Sequence, residues 1–530
     1  MSKRQFPHSY VIVFFIIIIA TILTWIIPAG EFDKITILTE QGQRTVIDAN
    51  SYHKVPQQIQ TWQIFSSIFD GIVDKIEIIA FIFIVGASFF LINKGKVLDV
   101  AIKKLLHLTR NWREKKIPLI GEGNHLIIVI FMILFSIFGA VFGMSEETIA
   151  FIVLFVPMFI ALGYDSIVGV SVVFVGATLG FIGGVTNPFT IGIAQSIAGI
   201  PIFSGIEYRL FLWVIFTTIG IIFVLRYAKK VYKNPMASLV YDTDEYWRNA
   251  SVKDINDVSE RVDWRGWITW ILINAFMILE LVKILNNNEL WSSQAIILFC
   301  MIIFSIVLGG FILIKYKKEI YALFLLGFAI ISMIFGVLVW KWYIKEIATL
   351  FLVLGIFTGM SLRMKANDIA KTMIDGAKDI ASAALIVGLA SAIIVILEDG
   401  KIMDTILYAT ANVIPENSKF LAVQGMYIFE TVLNFILPSG SAKAALTMPI
   451  IAPLCDIIGL SRQLGVLAFQ LGDGFTNMIT PVSGVLMGVL GMAKIQYNVW
   501  IKYIWKFILI LFIIGALVHI PPIMFQLPGF

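Results

Sequence analysis

Four ionisable side chains stand where the sequence is otherwise apolar. Glu146 and Glu147 lie in Gly143-Met-Ser-Glu-Glu-Thr148, Lys443 follows Pro438-Ser-Gly-Ser441, and Asp473 lies in Gly472-Asp-Gly-Phe-Thr-Asn477. Charged groups in an apolar run are costly and are kept where they meet a partner. Two adjacent carboxylates suit a cationic group, either an amine or a coupling ion, and a lysine ammonium can neutralise a carboxylate. A site that offers both signs fits a zwitterion such as an amino acid, and it serves a dicarboxylate if the glutamates face a cation. The plainer alternative is that these groups open into water or pair with one another, and that alternative weighs most on a fifth charge, Glu430, in the apolar run before the second tip. Ser441-Ala-Lys443 also has the look of a Ser–Lys pair, but no oxyanion-hole motif or general base is recognisable beside it. The chain is therefore not read as an enzyme, and an intramembrane hydrolase stands only as an alternative.

The elements that must position these groups are marked by helix breakers. Thr186, Asn187, Pro188 and Thr190 follow Gly183-Gly184 in one break; Thr476, Asn477, Thr480 and Ser483 surround Pro481 in another. Gly and Pro free backbone carbonyls there, and non-helical backbone at membrane depth survives only where it lines a cavity or is buried in protein. Half-helix N-termini favour anionic groups and unwound carbonyls favour cations. Ser145 and Thr148 flank the glutamates, and Ser439, Gly440 and Ser441 precede the lysine.

Sliding the chain on itself by 296 residues superposes the two regions without a gap: Ser145 falls on Ser441, Pro157 on Pro453, Gly163 on Gly459, Gly169 on Gly465 and Gly176 on Gly472. The matches are turn-makers and small residues. The breaks can be aligned in two ways: by a shared Thr-Asn-x-x-Thr element, or gaplessly, with Asn187 opposite Ser483. The number of intervening helices is odd, so the copies have opposite topology, a pattern that points to secondary transport with a site near the membrane midplane.

The composition agrees. Of 530 residues, 59% are apolar or aromatic and 14% charged, with mean hydropathy +0.90; soluble domains carry roughly a quarter charged residues. The chain is read as an all-α polytopic membrane protein, with no nucleic-acid partner despite its +5 charge. Cys300, Cys455 and five scattered histidines form no metal motif.

About eleven spanning segments are expected. Nine are continuous, beginning with Tyr10 to Pro28, and two are the broken helices 166–200 and 463–495. Segments 124–162 and 419–460 are expected as two opposed re-entrant hairpins. The first repeat occupies 1–226 and the second 346–530, joined by a solvated cytoplasmic linker over 227–264 and connecting helices over 265–345. Basic clusters over 94–122 and at Arg226 to Lys233 put the N-terminus inside and the C-terminus outside.

At these residues the chain resembles the YfcC-type branch of the C4-dicarboxylate anaerobic carrier (DcuC-like) family, in the ion transporter superfamily. The resemblance runs nearly end to end, through Gly143-Met-Ser-Glu-Glu-Thr148, Thr186-Asn-Pro-Phe189, Phe203-Ser-Gly205 with Arg209, Pro438-Ser-Gly-Ser441 and Gly472-Asp-Gly-Phe-Thr-Asn477. It implies an elevator-type secondary transporter of the bacterial inner membrane, a homodimer in the lipid bilayer, moving a small carboxylate-bearing solute. An amino acid, with basic amino-acid exchange as one form, is the first reading and a C4-dicarboxylate the second; a channel is the alternative class. No cofactor is expected beyond sodium or a proton as coupling ion, with sodium placed near Ser145 and Asn187. Where the family pattern has Ser-Gly-Gln at the second tip, this chain has Ser441-Ala442-Lys443, so a sodium site does not carry over to that half.

Overall fold

Long runs of Ile, Leu, Val and Phe without Gly-Pro interruption fold as helices in the computed structural model, which describes residues 9–39, 42–48, 50–97, 100, 116–117, 121–122, 125–251, 260–286, 292–340, 342–412, 414, 418–525 and 527–530. Most of the basic segment 94–122 and part of the linker, 252–259, lie outside the described residues. Eleven described helices are long and apolar enough to cross a bilayer, so the protein is a polytopic membrane protein of mostly helical fold. The number matches expectation; the membership does not. The expected first span is the helix Ser9–Ile26, whose 18 described residues equal the length of His125–Phe142. The second broken helix divides into Arg462–Thr476 and Gly484–Met492, each too short to span, and the hairpin legs His125–Phe142 and Gly440–Ile458 are among the eleven. The span expected over 380–397 is the 34-residue helix Ala366–Asp399, about 51 Å long at 1.5 Å per residue. Its first turns carry Asp368, Lys371, Asp375 and Lys378, which end the apolar window without ending the helix.

Strands are few. Lys34–Thr39 pairs antiparallel with Gly42–Ile47, and Gly30–Glu31 with His53–Lys54. This small platform rests on the end of the long helix: Gly30 N–H donates to Lys401 O at 2.9 Å, Lys401 pairs with Glu31 at 2.7 Å, and Tyr52 stacks on Tyr408 at 4.0 Å.

Each half of the repeat contains a hairpin followed by a broken helix. The first hairpin joins His125–Phe142 to Thr148–Ala161, and the second joins Lys419–Asn434 to Gly440–Ile458. The first broken helix runs Ser166–Gly183, then 188–197; the second runs Arg462–Thr476, then Gly484–Met492. Hydrogen bonds fix their relative direction. Gln195 near the end of the first donates to Gln463 Oε1 at the start of the second, at 2.9 Å. At the other end, Asp244 accepts from Ser166 N–H at 2.8 Å while its neighbour Trp247 donates to Ala493 O at 3.2 Å. The start of each broken helix thus lies at the end of the other, and the two run antiparallel.

Caps settle the alignment that the sequence left open. Asn187 and Ser483 are each the N-cap of the second half-helix, Asn187 accepting from Phe189 N–H at 2.9 Å and Ser483 from Leu486 N–H at 3.3 Å. They are 296 residues apart, which is the gapless register. A side-chain oxygen on an exposed first-turn amide is what both positions need.

The expectation of a solvated linker is corrected over 235–251. Val240, Asp244 and Trp247 are buried. Asp165 caps the first broken helix through Val168 N–H at 2.9 Å, and its other oxygen accepts from Ser238 at 2.6 Å and Tyr227 at 2.7 Å. Tyr246 donates to Asp379 on the long helix, which also holds Lys494. The balanced charge of the segment hides this docking, because the charges serve helix ends rather than solvent. Burial pushes the Asp244 carboxyl up to about 6, partly offset by its hydrogen bonds from Ser166. Docked, it holds its proton more tightly than when released, so docking is firmest below the usual 3.8 and weakens as pH rises through about 6. Hydrogen–deuterium exchange over 238–247, corrected for intrinsic rates, should show protection falling across that interval; Asp244→Asn should flatten the profile, and an unchanged slope in the variant would contradict the assignment.

Candidate functional site

The first tip is built on Gly143, whose φ of +69° is the left-handed region, and whose Cβ, if present, would strike the Asn187 side chain. The chain then turns so that Glu147 becomes the N-cap of Thr148–Ala161 and its carboxylate accepts from Ser145 N–H at 3.0 Å. Thr148 bonds back to the Ser145 carbonyl. Thr186 in the first break ties to the first leg, its N–H donating to Ala140 O at 3.0 Å.

The second tip starts at Ser439, the N-cap of Gly440–Ile458, with no side-chain capping bond. Gly440 lies against the first break: a Cβ there would come within 2.6 Å of Thr190 Cγ2. The second break is held to its own hairpin by Asn434, whose amide donates to Asp473 O at 2.8 Å, Thr476 Oγ1 at 2.7 Å and Asn477 Oδ1 at 2.9 Å.

Both tips and both breaks meet around one cavity of about 190 Å³. Of the residues singled out from sequence, Ser145, Glu146, Glu147, Thr190, Ser439, Gly440, Ser441, Asn477 and Ser483 line it. Thr148, Thr186, Asn187, Lys443, Asp473, Thr476 and Thr480 are not among its described lining residues, and the Pro188 side chain lies outside what is described. Thr148 and Thr186 hold the first tip and break together, Asn187 caps, and Thr480 donates to Phe435 O at 3.4 Å. Ser145 O and Asn187 Oδ1, on the two residues expected near sodium, each already accept a hydrogen bond.

Lys443 departs furthest from its expected role. It is fully buried and faces Asp473 at 3.1 Å and Glu430 at 3.6 Å, with its ammonium 5.1 Å from the Phe469 ring centre. It is two residues beyond Ser441, about 200° around the helix, so it points away from the cavity that Ser439 and Ser441 line.

Lys75, Thr178, Phe189 and Tyr343 also line the cavity and were not found from sequence. Tyr343 comes from the connecting helices, outside the repeat, and Lys75 from the part of the first repeat before its hairpin, where no internal match flagged it. Lys75 is paired with Asp74 at 2.8 Å.

Arg209, seen only as part of a motif, closes the first break. Buried to 1% exposure, it donates from Nε to Gly184 O at 2.9 Å, from Nη2 to Val185 O at 3.3 Å and Phe203 O at 3.1 Å, and from Nη1 to Ser204 O at 2.5 Å. In the second break, Trp500 donates to Met478 O at 2.9 Å and Tyr497 to Ile479 O at 2.5 Å. These unwound carbonyls, expected as cation ligands, already hold protein donors. Arg209→Leu strands three carbonyls, those of Gly184, Val185 and Phe203, since Ser204 O keeps the Gln195 amide at 2.9 Å, at about 1–3 kcal/mol for each one left buried without a donor. It should markedly lower the unfolding temperature of the purified protein, with Arg209→Lys recovering only part, since one ammonium cannot span both segments.

The profile of the C4-dicarboxylate anaerobic carrier family matches residues 6–319 and 312–523. A protein of Escherichia coli (strain K12) named "Putative basic amino acid antiporter YfcC" is 32% identical over 550 aligned positions, covering 97% of this chain and 96% of its own. An uncharacterized protein of Haemophilus influenzae (strain ATCC 51907 / DSM 11121 / KW20 / Rd) is 27% identical over 97% of both chains. Among solved structures, the Alcanivorax borkumensis YdaH transporter aligns over 99% of this chain and 100% of its own, at 14% identity and a TM-score of 0.34.

Proposed function

The chain belongs to the C4-dicarboxylate anaerobic carrier family, and from that premise we propose that it is a secondary active transporter of an amino acid, with basic amino-acid exchange as its first form. The observation that carries the substrate reading is the charge of the cavity wall. Glu146 and Glu147 face the space, while the basic side chain among its described lining residues, Lys75, is paired to Asp74. A dicarboxylate entering there would meet two carboxylates; an α-ammonium or a cationic side chain would be neutralised by them. The substrate carboxylate has its own place. The helices Thr148–Ala161, Gly440–Ile458 and Gly484–Met492 begin at the cavity, and their N-terminal amides favour an anion. The name of the E. coli relative agrees with this reading.

Alternating access is supported by the same geometry. The shorter hairpin legs, of 14 and 16 residues, reach about 21 and 24 Å, less than a hydrocarbon core of roughly 30 Å. Their bases lie with opposite ends of the antiparallel broken helices and their tips line one cavity, so each hairpin is read as re-entrant. An elevator-like displacement would carry hairpins and breaks together. Sidedness follows the basic residues, with the N-terminus and the 235–251 strap in the cytoplasm and the C-terminus outside. The sparsely covered helices Trp264–Asn286 and Ser293–Lys315 offer the surface for lipid or for a second copy in a homodimer.

Counterflow in proteoliposomes, with arginine, ornithine, neutral amino acids, succinate and short-chain acids, with and without sodium, tests the substrate. Arginine or ornithine should drive exchange and succinate should not compete; exchange of succinate alone would hand the site to the dicarboxylate reading. Glu147→Gln should weaken cationic substrates about tenfold or more, the worth of one charge-assisted hydrogen bond.

A further inference from the structure

Behind the second tip lies a cluster that the substrate reading does not use. Glu430, Lys443 and Asp473 are all fully buried. Lys443 sits 3.1 Å from Asp473 Oδ1 and 3.6 Å from Glu430 Oε2, and also approaches the Glu430 carbonyl at 3.4 Å. The cluster therefore holds two carboxylates for one ammonium. Among the described residues, Lys443 is the cation paired with these acids; Phe469 lies against its ammonium and Thr447 donates to its carbonyl at 3.0 Å. An uncompensated charge at this depth is expensive, and a bound proton removes it.

The two acids are not equivalent. Asp473 takes the closer approach of the ammonium, and its other oxygen accepts from Asn477 Nδ2 at 3.3 Å. Neither carboxylate oxygen of Glu430 has a hydrogen-bond partner among the described residues, against one of the two of Asp473, and the Glu430 ion-pair distance is the longer. Asp473 is placed to carry the negative charge and Glu430 to carry the proton.

The cluster is also one residue from the cavity. Asn477, which holds Asp473, lines the cavity wall, and so does Gly440, where an added Cβ would lie 3.6 Å from Asp473 Oδ2. The three groups lie on three helices: Glu430 and Lys443 on the two legs of the second hairpin, and Asp473 on the second broken helix, to which Asn434 ties the first leg.

We propose that Glu430, Lys443 and Asp473 form the proton-binding site of this transporter, with Lys443 changing partners between the two acids as its own leg, Gly440–Ile458, moves. With the hairpin seated, Lys443 pairs with Asp473 and Glu430 is protonated. When the tip lifts from the broken helix, Lys443 moves with the second leg, pairs with Glu430 and expels that proton to water, while water admitted at the tip solvates Asp473. One proton is bound and released per cycle, and a protein-borne cation serves in place of a metal ion. This rests on the transport reading but not on the identity of the substrate.

Infrared difference spectra of the reconstituted full chain, in H2O and D2O across neutral pH, test it without any substrate. A protonated-carboxyl band should be present in the parent protein, absent in Glu430→Gln, shifted in Glu430→Asp and retained in Glu146→Gln. A band unaffected by either Glu430 substitution, or no such band in the parent, overturns the proposal; Glu430→Asp keeps the test alive if the glutamine variant does not fold. In arginine-loaded vesicles containing a pH dye, protons moved per arginine should fall to zero in Glu430→Gln, and an unchanged ratio would refute it. If arginine is not transported at all, the amino-acid reading fails while the infrared result still decides this one.

Discussion

Everything around the cavity depends on breaking two helices inside a membrane without leaving their backbone groups stranded. Each break frees carbonyls where no bulk water can reach them, and each half of the repeat solves this with its own side chains. In the first, the Arg209 fork spans Gly184, Val185, Phe203 and Ser204. In the second, Trp500 and Tyr497 reach Met478 and Ile479 from the following helix. The repeat preserves the breaks and their caps but not the groups that satisfy them. A guanidinium with five donors and two aromatic donors meet the same requirement, so the pressure is on satisfaction rather than on residue type.

That solution determines the polarity of the cavity. With the unwound carbonyls engaged, the wall draws its character from helix N-termini and from Glu146 and Glu147. The charges left over are segregated: acids at the first tip face the cavity, while Lys443 is folded behind the second tip between Glu430 and Asp473. The wall between the two is thin, with Gly440 and Asn477 belonging to both. Movement of the second hairpin therefore cannot alter the cavity without also altering the buried ion cluster.

The ends of the broken helices are joined by a different device. The strap over 235–251 ties Ser166 to Ala493 and, through Tyr246, to Asp379 on the long helix. It links both halves of the repeat at one end, much as Gln195 and Gln463 do at the other.

The sequence by itself determined the membrane environment, most of the spans, the repeat and the residues that break its helices. Those features are local: apolar runs of sufficient length form helices, and Gly, Pro, Asn and Ser at breaks are demanded by the backbone they sit in. It also yielded the two tips, because turn chemistry recurs at a spacing of 296. What it left undecided was which charge faces what. Lys443 and Ser441 are neighbours in the chain, yet two residues rotate a helical side chain to nearly the opposite face. The partners that decide its role come from positions 430 and 473, on other helices. The same holds for Lys75 and Tyr343 in the cavity wall and for the docked strap, whose balanced composition resembles solvated linker. The direction in which a helix turns its side chains, and what packs against that face, is set by tertiary contact alone.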